Sequence, residues 1–127
     1  MRTERCRRVV IGALLVLGSG VAGSAQPQFN DPSGAQGLYD ACHVKQSDPL
    51  WPMHAGLCFG YILGTVNMLP TVDAKYDACL PPTARYGQYY EVVKKYLREH
   101  PEKRHLSSSR VITTAIDEAF CQPERPK

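Results

Sequence analysis

The chain has 127 residues and a formal charge of +3, with 15 lysines and arginines against 12 acidic residues. All of that excess lies in the first 25 residues, so the remaining 102 residues carry 11 basic and 11 acidic side chains. Nucleic acids and anionic membranes select proteins with clustered basic charge. A neutral domain therefore excludes both as partners and favours a protein partner chosen by shape and paired charges.

The first 25 residues have the order basic, apolar, small that defines a secretory signal peptide. Four arginines precede an uncharged run from Val9 to Ala22, and Gly23-Ser24-Ala25 supplies the small residues that a signal peptidase reads. The uncharged run is too short for a bilayer, which needs roughly 20 apolar residues. We expect cleavage after Ala25, export to the periplasm and no membrane span in the mature form.

Four cysteines remain after the signal peptide, and their number is even. They are Cys42, Cys58, Cys79 and Cys121. In an oxidising compartment they predict two disulfides, and the sequence alone allows three pairings. A domain of about 100 residues buries a modest core, so a gain of typically 2–4 kcal/mol per bridge would be a large share of its stability. The cysteines are therefore predicted to be structural.

Composition divides the chain into four parts. The signal peptide covers residues 1–25, a polar leader with two prolines covers 26–33, a helical domain covers 34–122, and a disordered tail covers 123–127. No stretch alternates with period two for long enough to predict a strand. We predict an all-α fold, a compact bundle of about four helices stapled by two disulfides after the cleaved signal peptide.

Two helices are predicted in the first half of the domain. The first runs from about Gly34 to His43, where apolar residues recur at helical spacing. The second runs from Trp51 to Leu69 and is too apolar on all sides for a surface helix. Pro70 is predicted to end this second helix, which should be the central one.

Three glycines recur every four residues in this second helix and would line one side of it. They are Gly56, Gly60 and Gly64. Each costs about 1 kcal/mol relative to alanine in a helix interior, so a packing gain must offset the cost. We predict a helix-packing groove in which another backbone approaches closely.

The second half of the domain is predicted to hold an ordered loop and two amphipathic helices. The loop covers Thr71–Thr83 and contains a cysteine that would tie it down. The third helix runs from about Arg85 to His100 with separate apolar and charged faces. A fourth helix, capped by Ser107 or Ser108, ends near Cys121.

The sequence holds no convincing constellation for catalysis or metal binding. A zinc site can be drawn from His54 with Cys58 or from His43 with Cys42, but exported chains with an even cysteine count rarely use thiolates in that way. No nucleophile elbow and no phosphate-binding glycine loop occur. We predict a protein that is not an enzyme and needs no cofactor; a hydrolase acting through His54 or His105 is the weakest hypothesis.

Several short motifs follow one another in order along the domain. They are GLYDAC at residues 37–42, CFGYILGTV at 58–66, Cys79-Leu80-Pro81, His100-Pro101-Glu102 and Ala119-Phe120-Cys121. With its cysteine spacing, this set resembles the Tai-type immunity family, also called resistance-associated proteins, over almost the whole mature domain. Two positions depart from the family pattern: Arg85 stands where a Thr or Ser helix cap would be expected, and Asn67 stands where the family often has Asp.

Proteins of that family protect bacteria from amidase toxins of the type VI secretion system. The resemblance implies a compact all-helical periplasmic protein, often a homodimer, that binds a peptidoglycan-cleaving amidase and blocks its active-site cleft. The alternative hypothesis is a small periplasmic disulfide-stabilised chaperone or stress protein of the acid-stress type, which would share the size, helicity and export.

Candidate contacts with the protein partner are predicted from loop chemistry, because no family motif carries them. A short loop held by a disulfide loses little entropy on entering a cleft. Its candidate residues are Thr71, Asp73, Lys75 and Tyr76. Trp51 and Tyr90 are further candidates as aromatic anchors.

Overall fold

A computed structural model describes residues 31–122, which form five α-helices without a β-strand among them. The helices are α1 (Ala35–Cys42), α2 (Trp51–Val72), α3 (Lys75–Cys79), α4 (Tyr86–Glu99) and α5 (Ser108–Ile116). A 3₁₀ turn at Pro101–Lys103 links α4 to α5, and a π-helical turn at Asp117–Cys121 continues α5. The predicted all-α class is confirmed. The predicted signal peptide, residues 26–30 of the leader and the tail lie outside the described residues.

Helix α2 is the central helix, as predicted, and packs against α1, α4 and α5. Its inner positions follow helical spacing and are buried. They are His54, Cys58, Ile62, Val66 and Leu69. The facing helices supply further side chains that are fully buried. These are Leu38 of α1, Val93 and Leu97 of α4, and Ile112 and Ile116 of α5. One core therefore lies between four helices.

The four cysteines form two disulfides, as predicted, and the structure selects one of the three pairings. Cys42 bonds to Cys58 and joins the end of α1 to α2. Cys79 bonds to Cys121 and joins α3 to the end of the π-helical turn. The first bridge spans 16 residues and the second spans 42.

Backbone pairing joins the start of the domain to the start of α5. The Ala35 N–H donates to the Leu106 carbonyl at 2.9 Å, and the Ser108 N–H donates to the Ser33 carbonyl at 2.9 Å. Gly34 and Ser107 thereby form an antiparallel bridge. Ser107 occupies the predicted N-cap position of α5, although its hydroxyl makes no capping bond within the described part of the chain.

Two predictions about the middle of the chain are wrong. Pro70 does not end α2, which continues to Val72, and the Asp73 N–H donates to the Leu69 carbonyl at 2.9 Å. A proline in the last turn removes one backbone hydrogen bond without stopping the helix. The predicted loop Thr71–Thr83 also contains α3, a helix of five residues that is too short to show a periodic pattern.

Helix α4 begins with an unusual cap, because Arg85 has no oxygen in its side chain. The side chain of Gln88 takes that role, since its Oε1 accepts a hydrogen bond from the Arg85 N–H at 2.7 Å. At the other end, Nε of Arg104 donates to the Leu97 carbonyl at 2.9 Å. Arginine at the predicted cap position is thus compatible with a well-formed helix.

Candidate partner-binding surface

Helix α2 combines the most apolar sequence of the domain with a largely exposed surface. It contains no Lys, Arg, Asp or Glu, and 22% of its most apolar 18 residues are buried. By length and composition it is the one helix within residues 31–122 that could cross a membrane. In the structure it packs on one side as the core helix of a folded domain, so its other side is an apolar surface of the kind that binds a partner.

The three glycines of α2 lie on this exposed side. Beyond the adjacent residues and the neighbouring backbone of α2 itself, a Cβ atom added to Gly56, Gly60 or Gly64 would meet no atom of the described chain within 4 Å. The prediction that they form a packing groove is therefore wrong for contacts within residues 31–122. Sequence periodicity shows that residues share a side of a helix, but it does not show what faces that side.

The row of glycines continues toward the end of α2 in two apolar side chains. Met68 and Val72 follow Gly64 at the same spacing of four and are 55% and 76% exposed. We call Gly56, Gly60, Gly64, Met68 and Val72 the α2 row. Sequence reasoning missed Met68 and Val72, although the continued spacing could have identified them.

The α2 row meets a second exposed feature, the segment Thr71–Lys75, in which all five residues are exposed. Oδ1 of Asp73 accepts a hydrogen bond from the Lys75 N–H at 3.0 Å, and the Asp73 carbonyl accepts one from the Tyr76 N–H at 3.1 Å. The Cys79–Cys121 disulfide fastens the helix that follows. Local bonds and the disulfide hold the segment in one shape.

Lys75 connects this segment to the π-helical turn at Asp117–Cys121. Its Nζ lies 3.4 Å from Oδ1 of Asp117 and 3.9 Å from Oδ2 of Asp73, and it stands 4.7 Å from the centre of the Tyr76 ring. Desolvation lowers the pKa of Lys75, but its contacts with Tyr76 and Asp117 raise it by more. The ammonium group therefore stays charged at neutral pH.

Tyr76 is a core residue, which corrects its prediction as an exposed contact. It is 3% exposed and belongs to α3, whose inner side it occupies. Burial raises the pKa of its phenol, and the neighbouring Asp117 carboxylate raises it further. Thr71, Asp73 and Lys75 are at the surface, as their proposed role requires.

Trp51 and Tyr90 lie far from that segment, near the start of α2. Both are half-buried and line the same cavity of about 360 Å³. The Tyr90 ring packs edge to face against Phe59, with ring centres 5.6 Å apart. The structure thus brings the two predicted aromatic anchors together, but not with the Thr71–Lys75 segment.

A groove that sequence reasoning missed lies beside the end of α2. It has a volume of about 370 Å³ and runs between α2, α3 and the loop at Pro81 and Pro82. Tyr86, at the start of α4, is 55% exposed at its edge. The adjacent prolines were the available signal, because prolines favour turns. The Ala84 N–H donates to the Pro81 carbonyl at 2.9 Å across such a turn.

The histidines and cysteines from which a zinc site could be drawn have structural roles instead. Within residues 31–122, no group of three or more His, Cys, Asp or Glu side chains could hold a metal ion. Cys42 and Cys58 are bonded to each other, so neither offers a thiolate to His43 or His54. His43 instead stacks on Tyr39 at 4.2 Å between ring centres.

The family model of the Rap1a immunity proteins matches residues 34–121. The chain belongs to this family. The match covers all five helices and both disulfides of the immunity protein. No curated protein and no solved structure matches the chain. Members of an immunity family act by binding, so the family implies a secreted effector as the partner of this immunity protein and is consistent with a protein that is not an enzyme.

The immunity protein presents two contiguous features that suit a protein partner. The α2 row supplies apolar surface without charge, and the Thr71–Lys75 segment supplies polar and charged groups at its end. Interfaces commonly combine an apolar centre with a polar rim. The two disulfides and the family are consistent with an oxidising compartment outside the cytoplasm.

Proposed function

We propose that this immunity protein is exported to the periplasm after cleavage near Ala25 and blocks a peptidoglycan amidase delivered by type VI secretion. The family match over the whole disulfide-bonded domain is the observation that carries the proposal. The resemblance of its motifs to the Tai-type family supports the amidase as the target. The same match favours immunity over the hypothesis of an acid-stress chaperone.

We propose that the Thr71–Lys75 segment enters the cleft of the effector. Its five residues are exposed, whereas the bonds of Asp73 and the Cys79–Cys121 disulfide hold its backbone. A segment that is already ordered loses little conformational entropy on binding. Thr71, Asp73 and Lys75 are its polar contacts, and Val72 adds an apolar one.

The test is inhibition of a purified amidase effector, first that encoded beside the gene of this protein, in a cell-wall digestion assay. Thr71→Arg and Val72→Arg place a bulky charge on the segment without touching the core. Each should weaken inhibition at least about tenfold, because an unpaired charge in an interface costs roughly 2–5 kcal/mol. Glu91→Arg, at an exposed position of α4, is the control and should inhibit normally.

Two results would contradict these proposals separately. If the native protein inhibits no peptidoglycan amidase at micromolar concentration, the amidase target is wrong. If it inhibits but Thr71→Arg and Val72→Arg inhibit equally well, the target stands and the assigned contact segment is wrong.

We also propose that two copies of the chain associate through the α2 row. Its glycines leave open space above the helix, so a second backbone can approach closely, and Met68 gains apolar burial. Light scattering on the native protein should give the mass of a dimer, and Gly60→Arg should give that of a monomer. Gly87→Arg is the matched control, because Gly87 on α4 is equally open. A monomeric native protein would refute this interface.

A further inference from the structure

A cavity of about 360 Å³ opens at the end of the molecule opposite the Thr71–Lys75 segment. The end of α1, the loop after it, the first turn of α2 and the middle of α4 surround it. Because a helix rises about 1.5 Å per residue, the length of α2 separates the two features by roughly 30 Å. A ligand in this cavity therefore makes contacts distinct from those of the segment.

Lys94 of α4 is the one lysine or arginine that lines the cavity. No aspartate or glutamate lines the cavity, and Lys94 has no acidic partner within 4 Å among residues 31–122. Its Nζ lies 4.9 Å from the centre of the Tyr90 ring, which holds the ammonium at the cavity wall. A half-buried cation without a counter-ion attracts an anion more strongly than one in bulk water.

The other walls are aromatic or neutral and are already in place. Trp51 and Tyr90 form apolar walls, and the Trp51 indole and the Gln46 amide add neutral N–H donors. The ring of His43 is fixed by stacking on Tyr39 and by a hydrogen bond of 2.8 Å between its Nδ1 and the Tyr39 carbonyl. The Cys42–Cys58 disulfide holds α1 against α2 beside the cavity. Fixed walls lower the entropy lost on binding.

We propose that this cavity binds a carboxylate carried on a short apolar stem, with Lys94 as its ion-pair partner and Trp51 and Tyr90 around the stem. Its volume lies at the lower end of ligand pockets, which span about 300–1,000 Å³, so it accommodates one residue and not a folded element. The carboxylate belongs either to an acidic side chain or to the free carboxyl end of a peptide. The inference does not depend on the identity of the effector.

Trp51 makes the test direct, because it is the only tryptophan of the chain. The disulfide-bonded protein is titrated with three small probes while the indole N–H resonance of Trp51 is followed by NMR. The amide of N-acetylglutamate carries a side-chain carboxylate, N-acetylalanine carries a terminal carboxylate, and the amide of N-acetylglutamine is the neutral control. We expect saturable shifts with one or both carboxylates, and the stronger binder identifies the source.

A pair of neighbouring lysines supplies the matched variants. Lys94→Gln should weaken carboxylate binding about tenfold, the loss expected for a charge-assisted hydrogen bond. Lys95→Gln removes the same charge from the adjacent, exposed position and should leave the affinity unchanged within about twofold. Lys94→Arg keeps the charge and should retain binding, which separates loss of charge from loss of fold.

Three outcomes would overturn the assignment. The neutral glutamine probe could shift the Trp51 resonance as strongly as the carboxylates do, both carboxylates could fail to shift it, or binding could survive Lys94→Gln. None of these results bears on amidase inhibition, so failure of the carboxylate site and failure of the proposed function remain distinguishable.

Discussion

Three tyrosines of the core, Tyr76, Tyr89 and Tyr96, are almost entirely buried. Burial is the main reason that each phenol has a pKa above the usual 10.0. A negative charge adds to the effect at Tyr96, whose hydroxyl donates to Oε1 of Glu118 at 3.4 Å, and Asp117 does so at Tyr76. The folded protein therefore holds these protons more tightly than the unfolded chain does.

This difference predicts a loss of stability at alkaline pH. The stabilisation is fully present below the unfolded pKa of about 10 and is lost as pH rises toward the higher pKa of the folded state. The melting temperature should stay level at neutral pH and fall as the pH rises through the unfolded pKa of about 10. Tyr96→Phe has no proton to lose at that position and should show a shallower fall in the same thermal scans. An equal fall in both proteins would show that Tyr96 does not contribute.

Gly37 of α1 has the tightest surroundings of the glycines that the structure describes. A Cβ atom at this position would collide with the carbonyl oxygen of Asp31, which belongs to the backbone and has no flexible side chain to move aside. Gly37→Ala should therefore lower the free energy of unfolding by about 1–3 kcal/mol, the usual cost of overpacking. Urea unfolding measures this loss, and an unchanged midpoint would show that the residues near Asp31 shift freely.

The opposite result is expected for a glycine of α2, the element with the most exposed apolar surface. Gly60 has open space where its Cβ would lie, and alanine is the better helix former. Gly60→Ala should raise the free energy of unfolding by up to about 1 kcal/mol in the monomer. Urea unfolding in dilute solution tests this, and destabilisation would indicate that the glycine already packs against something.

Amphipathic helices were predictable because their apolar residues repeat at helical spacing. The predicted third helix, from about Arg85 to His100, agrees with α4 within a residue at each end. The exposed side of α2 was not predictable in the same way. Its apolar content suggested burial on all sides, but apolar composition cannot separate a side that packs within one chain from a side left open.

The short helix α3 shows a second reason why prediction from the sequence failed. Five residues give too little sequence for a periodic pattern, so the charges and prolines around Cys79 favoured a loop. Because this segment was predicted to be a loop, Tyr76 was predicted to be exposed. In the structure it lies on α3 and its ring is in the core. Thr71, Asp73 and Lys75 were predicted from their polarity, a property that does lead residues to the surface.

For the whole molecule, the two disulfides should contribute unequally to stability. In the loop-entropy model, closing 16 residues contributes about 3 kcal/mol and closing 42 residues about 4 kcal/mol. Replacing Cys79 and Cys121 by serine should therefore cost more than replacing Cys42 and Cys58. Urea unfolding of the two double variants compares them, and the reverse order would show that strain or residual unfolded structure dominates over loop length.

The pairing of these cysteines could not be read from the sequence. An even number predicts bridges, but the partners depend on how α1, α2 and α3 pack, and that arrangement is a property of the whole fold. The cavity beside Lys94 also depends on how the helices pack in the whole fold. Trp51 and Tyr90 stand 39 positions apart in the sequence, and only the packing of α2 against α4 brings them to one wall.

The bridge between Gly34 and Ser107 has a consequence for the proposed export of the domain. A chain that passes through a pore from its amino end cannot lock its first residues in place until nearly all of the domain has emerged. Before that point α1 lacks α5, one of the three helices that it packs against. Long-range pairing of this kind keeps a nascent polypeptide unfolded for longer, a state that a narrow translocation channel requires.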